Sequence, residues 1–275
     1  MSPADTTPAL EVRDLALRFG RVTAFEHVNF DVEQGELFAV IGPNGAGKTS
    51  LFNVLSRVYA ASAGTVRYFG QDLLRLRAWA LAGAGIARTF QNLGLFAPLS
   101  VLENVLIGRH HLMSAGPVRA GVWLGPGRTE ERAHRAAARE ALEFLGIAQY
   151  ADALVRELPF GIRKQVELAR ALAMEPRLVL LDEPVAGMSG DERAEVTALV
   201  RRLHGERGLT MLLVEHDMGM VMEVAQRVLV LDFGEVVAVG TPAEVQRDER
   251  VIRAYLGEEI DPAAEAEAAA EAARR

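Results

Sequence analysis

The chain has no cysteine, so disulfides and thiolate-bound metals are excluded, as suits a cytosolic protein. Lysine is almost absent too: Lys48 and Lys164 are the only two, and arginine carries the rest of the positive charge. The arginines are scattered, not grouped in a stripe. With a net charge of −7 this argues against a surface that wraps nucleic acid, and no nucleic-acid partner is expected. No apolar run reaches the roughly 18 residues that cross a bilayer; the nearest, 78–87, is broken by Gly83 and Gly85. If the protein works at a membrane, a partner must supply the spanning part. Residues 1–8 lack a basic region followed by an apolar stretch, so no signal peptide is visible. What the 275 residues do offer is core material, since 50% are hydrophobic, enough for one large domain or two small ones.

Against that background Gly42-Pro43-Asn44-Gly45-Ala46-Gly47-Lys48-Thr49 stands out. It fits the G-x-x-x-x-G-K-[ST] pattern of a phosphate-binding P-loop. Glycines let successive backbone N–H groups turn inward around phosphate oxygens, where a Cβ would crowd them. Lys48 would place a point charge on the β and γ phosphates, and Thr49 a hydroxyl on Mg²⁺. Before the motif, Leu37-Phe38-Ala39-Val40-Ile41 reads as a buried strand. After it, Leu51, Phe52, Val54, Leu55 and Val58 recur at helical spacing. The loop therefore opens a helix N-terminus, whose dipole favours an anion.

Residues 10–32 alternate apolar and polar, with Val28, Phe30 and Val32 on one face, which predicts antiparallel strands. A strand is expected at 65–69. From Ala87 to about Arg163 the pattern turns helical, with loops at Gly116-Pro117 and Gly125-Pro126-Gly127. Continuous apolar runs at 178–181 and 211–214 suit strands buried on both faces of a parallel sheet. Residues 227–240 read as a hairpin joined through Gly234. The Ala/Glu tail 260–275 has no apolar stripe and is expected to be frayed or disordered and without function.

The run 178–181 ends in Asp182-Glu183, at the end of a parallel strand where α/β ligands bind. Asp182 is placed to hold Mg²⁺ through water. Glu183, one residue on, could polarise a water attacking the γ-phosphate. Without the P-loop, the pair could equally be surface carboxylates at a strand end. His216 closes the next apolar strand and could reach the γ-phosphate or fill a structural role; spacing does not separate the two. His110-His111 point apart with no third ligand near in sequence, which reads as surface and not as metal.

Over residues 10–257 the chain resembles the nucleotide-binding subunit of an ABC transporter. The landmarks appear in order: Phe19 where an aromatic stacks on adenine, the P-loop, Gln91 at the Q-loop, and Leu158-Pro159-Phe160-Gly161-Ile162 at the signature. Asp182-Glu183 follow at Walker B, Gly187-Met188-Ser189 at the D-loop and His216 at the switch histidine. The resemblance implies an α/β P-loop NTPase core with a mostly parallel sheet, an N-terminal antiparallel β subdomain and a helical subdomain at about 88–163, all one domain over 1–257, with 258–275 as a tail. It implies an ATPase in which Phe19, Gly42, Asn44, Gly45, Gly47, Lys48, Thr49, Ser50 and Gly161 bind ATP. Thr49, Gln91 and Asp182 would hold Mg²⁺, and Glu183, His216 and Gln91 would serve catalysis.

Within the family the chain most resembles the ATPases of branched-chain or hydrophobic amino-acid importers. The basis is Ala87-Arg88-Thr89-Phe90-Gln91-Asn92-Leu93, Val101-Leu102-Glu103-Asn104-Val105, Ile107-Gly108-Arg109-His110 and the ending 251–258. The implied partners are a second copy or a sister ATPase, integral permease subunits and, indirectly, a periplasmic or extracellular substrate-binding protein. The implied location is the cytoplasmic face of the membrane. There are departures. The usual signature is Leu-Ser-Gly-Gly-Gln, of which only Leu158 and Gly161 survive, and Ser189 stands where the D-loop usually has Asp. The other reading is a soluble ATP-gated interaction protein of ABC type; such chains usually carry two cassettes or a long coiled-coil insertion, and neither is present.

Overall fold

The computed structural model describes residues 7–89, 94–113 and 126–256. An antiparallel sheet comes first. Strands β1 (Leu10–Phe19) and β2 (Val22–Val32) form a hairpin, and β1 also pairs with β4 (Ala63–Tyr68), which β5 (Gln71–Asp72) extends; the order is β2-β1-β4-β5. The second sheet has the order β10-β9-β3-β8-β7-β6. In it β3 (Leu37–Ile41), β6 (Ile86–Arg88), β7 (Leu178–Asp182), β8 (Thr210–Val214) and β9 (Arg227–Asp232) run parallel, and β10 (Glu235–Gly240) is an antiparallel edge.

All five residues of β3 are buried, and they alternate between two cores. Leu37, Ala39 and Ile41 face a core shared with α2 (Val101–Gly108), α3 (Pro126–Phe144), α4 (Phe160–Ala173) and α5 (Gly190–Arg207). Phe38 and Val40 face the core between the two sheets, where Phe38 stacks on Phe30 at 5.3 Å and α1 (Lys48–Leu55) inserts Leu51, Phe52 and Leu55. Each such side chain contributes about 1.5–3 kcal/mol by leaving water. The P-loop helix is thus gripped on both flanks, and the loop before it sits at the carboxyl end of the parallel strands. The described residues close with α6 (Met218–Val224), α7 (Pro242–Val245) and α8 (Glu249–Leu256).

Several local expectations need correction. Helix α1 stops at Leu55; Arg57 turns left-handed at φ 59°, and Val58 is 57% exposed instead of continuing the apolar stripe. The helical reading from Ala87 overlooks β6, whose three residues are too few to show a period. Pro126 opens α3 and does not stand in a loop, because a proline in the first turn loses no helical hydrogen bond. The tail 260–275 lies outside the described residues.

Candidate functional site

The P-loop fits a bound phosphate on its own geometry. Gly42 has no room for a side chain: a Cβ would lie 1.9 Å from the Leu231 carbonyl of β9. Gly45, at φ 86°, faces open space with nothing within 4 Å of its would-be Cβ, so the cradle is kept clear. Helix α1 begins at Lys48 with no side-chain cap and no acidic residue in its first turn, leaving its amides available to an anion. The Lys48 ammonium is buried and donates to the carbonyls of Gly42 at 2.6 Å and Pro43 at 2.8 Å. Burial pushes its pKa down, while the charge of Glu183 pulls it up, so the two side chains lie in one field.

Lys48, Thr49, Ser50, Asn44, Gly45 and Gly47 line a cavity of about 350 Å³ together with Glu183, Val22–Ala24 and Phe233. Val22 and Phe233 stand far apart in sequence, yet the hairpin β1–β2 and the β9–β10 turn meet over the P-loop, where Gly234 N–H donates to Ala46 O. Two hydroxyls, Thr49 and Ser50, and the carboxylate of Glu183 are oxygen donors of the kind a hard cation takes.

Asp182 closes β7 but does not open into this cavity. It is 3% exposed, and its Oδ2 accepts from Arg88 Nη2 at 2.6 Å. Arg88 Nη1 also donates to Asn53 Oδ1 at 2.9 Å and Ser56 Oγ at 2.5 Å on the α1 side. An Asp182 that acts on a metal through water would do so with one oxygen already held by an arginine 94 residues away. Replacing Arg88 with methionine should leave a buried carboxylate unpaired and cost about 3–5 kcal/mol in folding stability. Urea titration checks this. The double variant Arg88→Met, Asp182→Asn should recover most of the loss, and equal stability of Arg88→Met and wild type would show the pair to be idle.

Glu183 follows with a left-handed backbone, φ 47°, and its N–H donates to Val214 O at 2.9 Å, tying the end of β7 to β8. A non-glycine residue there is strained, as residues held at reacting centres often are. His216 lies just past β8 with a side chain 57% exposed, its Nδ1 3.8 Å from Glu215 Oε2. Glu215, which the sequence reading passed over, is fully buried and accepts from the N–H groups of Val185 (3.1 Å), His216 (3.0 Å) and Asp217 (3.3 Å). It braces the turn after Glu183 against the turn holding His216. Burial pushes its carboxyl pKa up, and those three donors pull it back.

The remaining candidates stand elsewhere. Phe19 ends β1, 48% exposed and edge-on to Tyr59 at 5.2 Å; its cross-strand partner Val22 reaches the cavity. Gly161 sits in the first turn of α4 and is not among the cavity's lining residues; its would-be Cβ points at Glu192 Oε1, 3.1 Å away. Pro159 stands at the N-cap position of α4 and makes no side-chain capping bond, so the start of α4 is left uncapped. Gln91 lies outside the described residues. Ser189 has a structural task of its own: it caps α5 in a reciprocal pair with Glu192. Among the described residues no cluster of three or more His, Cys, Asp or Glu could hold a metal, and no helix is long and apolar enough to cross a membrane.

The family model described as ABC transporter matches residues 25–186, which span the P-loop, Asp182 and Glu183. The chain belongs to the ABC transporter family. This ABC protein is therefore an ATP-binding transport ATPase. A second model, for branched-chain amino acid ATP-binding cassette transporters, matches residues 235–261. Among relatives, the chain is 37% identical over 252 residues to the high-affinity branched-chain amino acid transport ATP-binding protein BraF of Pseudomonas aeruginosa, covering 91% of this chain and 98% of that one. It is 36% identical over 258 residues to LivG of Escherichia coli, described in the same terms, with the same coverage. A crystal structure of the ADP conformation of an ATP-binding cassette superposes with a TM-score of 0.78 at 30% identity, covering 92% of this ABC ATPase and all of the other chain.

Proposed function

We propose that this ATPase powers uptake of branched-chain or other hydrophobic amino acids from the cytoplasmic face of the membrane, through a partner permease. The observation that carries the reading is one chain holding both a P-loop cavity with Lys48 and Glu183 facing it and a C-terminal segment, 235–261, that matches the branched-chain cassette model. BraF and LivG are both described as branched-chain amino acid transport proteins, which supports the substrate class.

In the proposed mechanism the Gly42–Lys48 loop and the α1 amides bind the β and γ phosphates of ATP. The Thr49 hydroxyl, with Gln91 and with Asp182 through water, would hold Mg²⁺, which when bound neutralises charge building on the phosphates, while Ser50 would bind the nucleotide. Glu183 accepts a proton from the attacking water, and His216 contacts the γ-phosphate region. Gly161, being outside its own chain's cavity, serves the site of a second cassette through the uncapped start of α4. The working unit is then a head-to-tail dimer with a copy or a sister ATPase. A groove of about 940 Å³ between β6, α2 and the 78–83 segment, with Trp79 77% exposed and Ile107 on its walls, offers the permease an apolar seat.

Proteoliposomes carrying this chain with its permease and binding protein test the reading. Leucine should accumulate with ATP and not with ADP. Accumulation of sulfate but not of leucine would overturn the substrate class while leaving the ATPase intact.

A further inference from the structure

We propose that Phe233 is a nucleoside-contacting residue, a strained aromatic that closes the side of the P-loop cavity against the sugar and base of ATP. The inference rests on the P-loop reading above and extends it to a residue outside every motif in the sequence.

The first observation is a misfit between residue and turn. Asp232 pairs with Glu235, so β9 and β10 are joined by two residues, Phe233 and Gly234, at φ 42° and 84°. Two positive φ values define a type I′ turn, which favours Asn-Gly. Phenylalanine at the first position is a steric outlier for a bulky side chain. Packing does not compensate for it, because Phe233 is 86% exposed. A strained and solvent-exposed aromatic lowers stability twice over, and outliers of this kind collect where a ligand is held.

The second observation is where the ring is held. Gly234 N–H donates to Ala46 O in the P-loop at 3.1 Å, and Gly234 O accepts from Glu26 N–H on β2 at 3.0 Å. A Cβ on Gly234 would lie 2.7 Å from Ala24 O, so the turn is pressed onto β2. The tip is thus fixed between the P-loop and β2, and Phe233 becomes part of the cavity wall with Val22, Thr23 and Ala24.

The third observation is the division of chemistry around the cavity. Lys48, the P-loop amides and the hydroxyls of Thr49 and Ser50 suit phosphate. Val22, Ala24 and Phe233 form an apolar wall that suits the remainder of the nucleotide. Val22 is the cross-strand partner of Phe19, so the wall runs along the hairpin toward the other exposed aromatic.

The test uses the full chain at concentrations where it is monomeric. Phe233→Asn and Phe233→Gly remove the ring and relax the turn, and Phe233→Trp keeps an aromatic. For the first two, the melting temperature should rise while ATP affinity falls about five- to a hundredfold, the range of a lost base–aromatic contact. Affinity for inorganic triphosphate should stay within about twofold of wild type, and the Trp variant should restore ATP binding. Unchanged ATP affinity would overturn the proposal, and so would equal losses for ATP and triphosphate, which would make the turn a support for the P-loop. A defect seen only in ATP-driven dimerisation would assign the ring to the subunit contact instead. A wild-type chain that binds neither ligand would remove the P-loop reading itself, an outcome distinct from all of these.

Discussion

Lys48→Ala is expected to lower ATP affinity by more than about a hundredfold, with the fold retained. The ammonium is the single lysine at the cavity, and it is desolvated: burial already pushes its pKa down. A buried cation gains more from a phosphate than an exposed one, and charge-assisted hydrogen bonds contribute about 1.5–3 kcal/mol each. Losing two such contacts to the β and γ oxygens accounts for the expected drop. The substitution also strips the donor from the carbonyls of Gly42 and Pro43. Titration with a fluorescent ATP analogue measures the loss, and circular dichroism checks the fold. Unchanged affinity in a folded variant would remove the central claim about the site.

Glu183→Gln separates binding from chemistry. The carboxamide has the same shape, so the left-handed backbone at φ 47° and its hydrogen bond to Val214 O are kept. It cannot accept a proton. ATP affinity should stay within about twofold, while hydrolysis slows by about 10²–10⁴-fold, the usual contribution of a general base. Undischarged ATP should then accumulate in a dimer, seen as a doubling of mass by light scattering. Hydrolysis at the wild-type rate would shift the role to His216, which the brace through Glu215 holds in the neighbouring turn.

The elements that the sequence made legible are those governed by short-range pattern. The P-loop, the apolar runs of β7 and β8 and the β9–β10 hairpin each carry their signal within one short stretch of sequence. The sites it left hidden depend on neighbours distant along the chain. Arg88 reads as one residue of a motif, and only the parallel pairing of β6 with β7 brings it onto Asp182. Glu215 looks like one more polar residue at a strand end until three backbone donors are seen converging on it. Ser189 is the instructive case. Set against the D-loop it is a departure, yet Ser-x-x-Glu before a helix is a capping box that local reading could have found. Phe233 had a signal too, an aromatic beside glycine in a two-residue turn, but its meaning needs the P-loop packed against it.

The two lysines have a consequence for chemical reactivity. Both side chains are buried, Lys48 at 6% exposure in the P-loop and Lys164 at 4% beside Glu167. No other lysine exists anywhere in the chain, so the folded surface offers no ε-amine outside the P-loop cavity. Acylating reagents and aldehyde cross-linkers, which react with unprotonated amines, find an α-amino group on the exterior and reach Lys48 only by entering the P-loop cavity. The surface cations are guanidinium groups, which no ordinary pH discharges. The exterior therefore keeps its positive charge into alkaline solution, and acylation at Lys48 becomes a report on whether the P-loop cavity it lines is filled, read without interference from any exposed lysine.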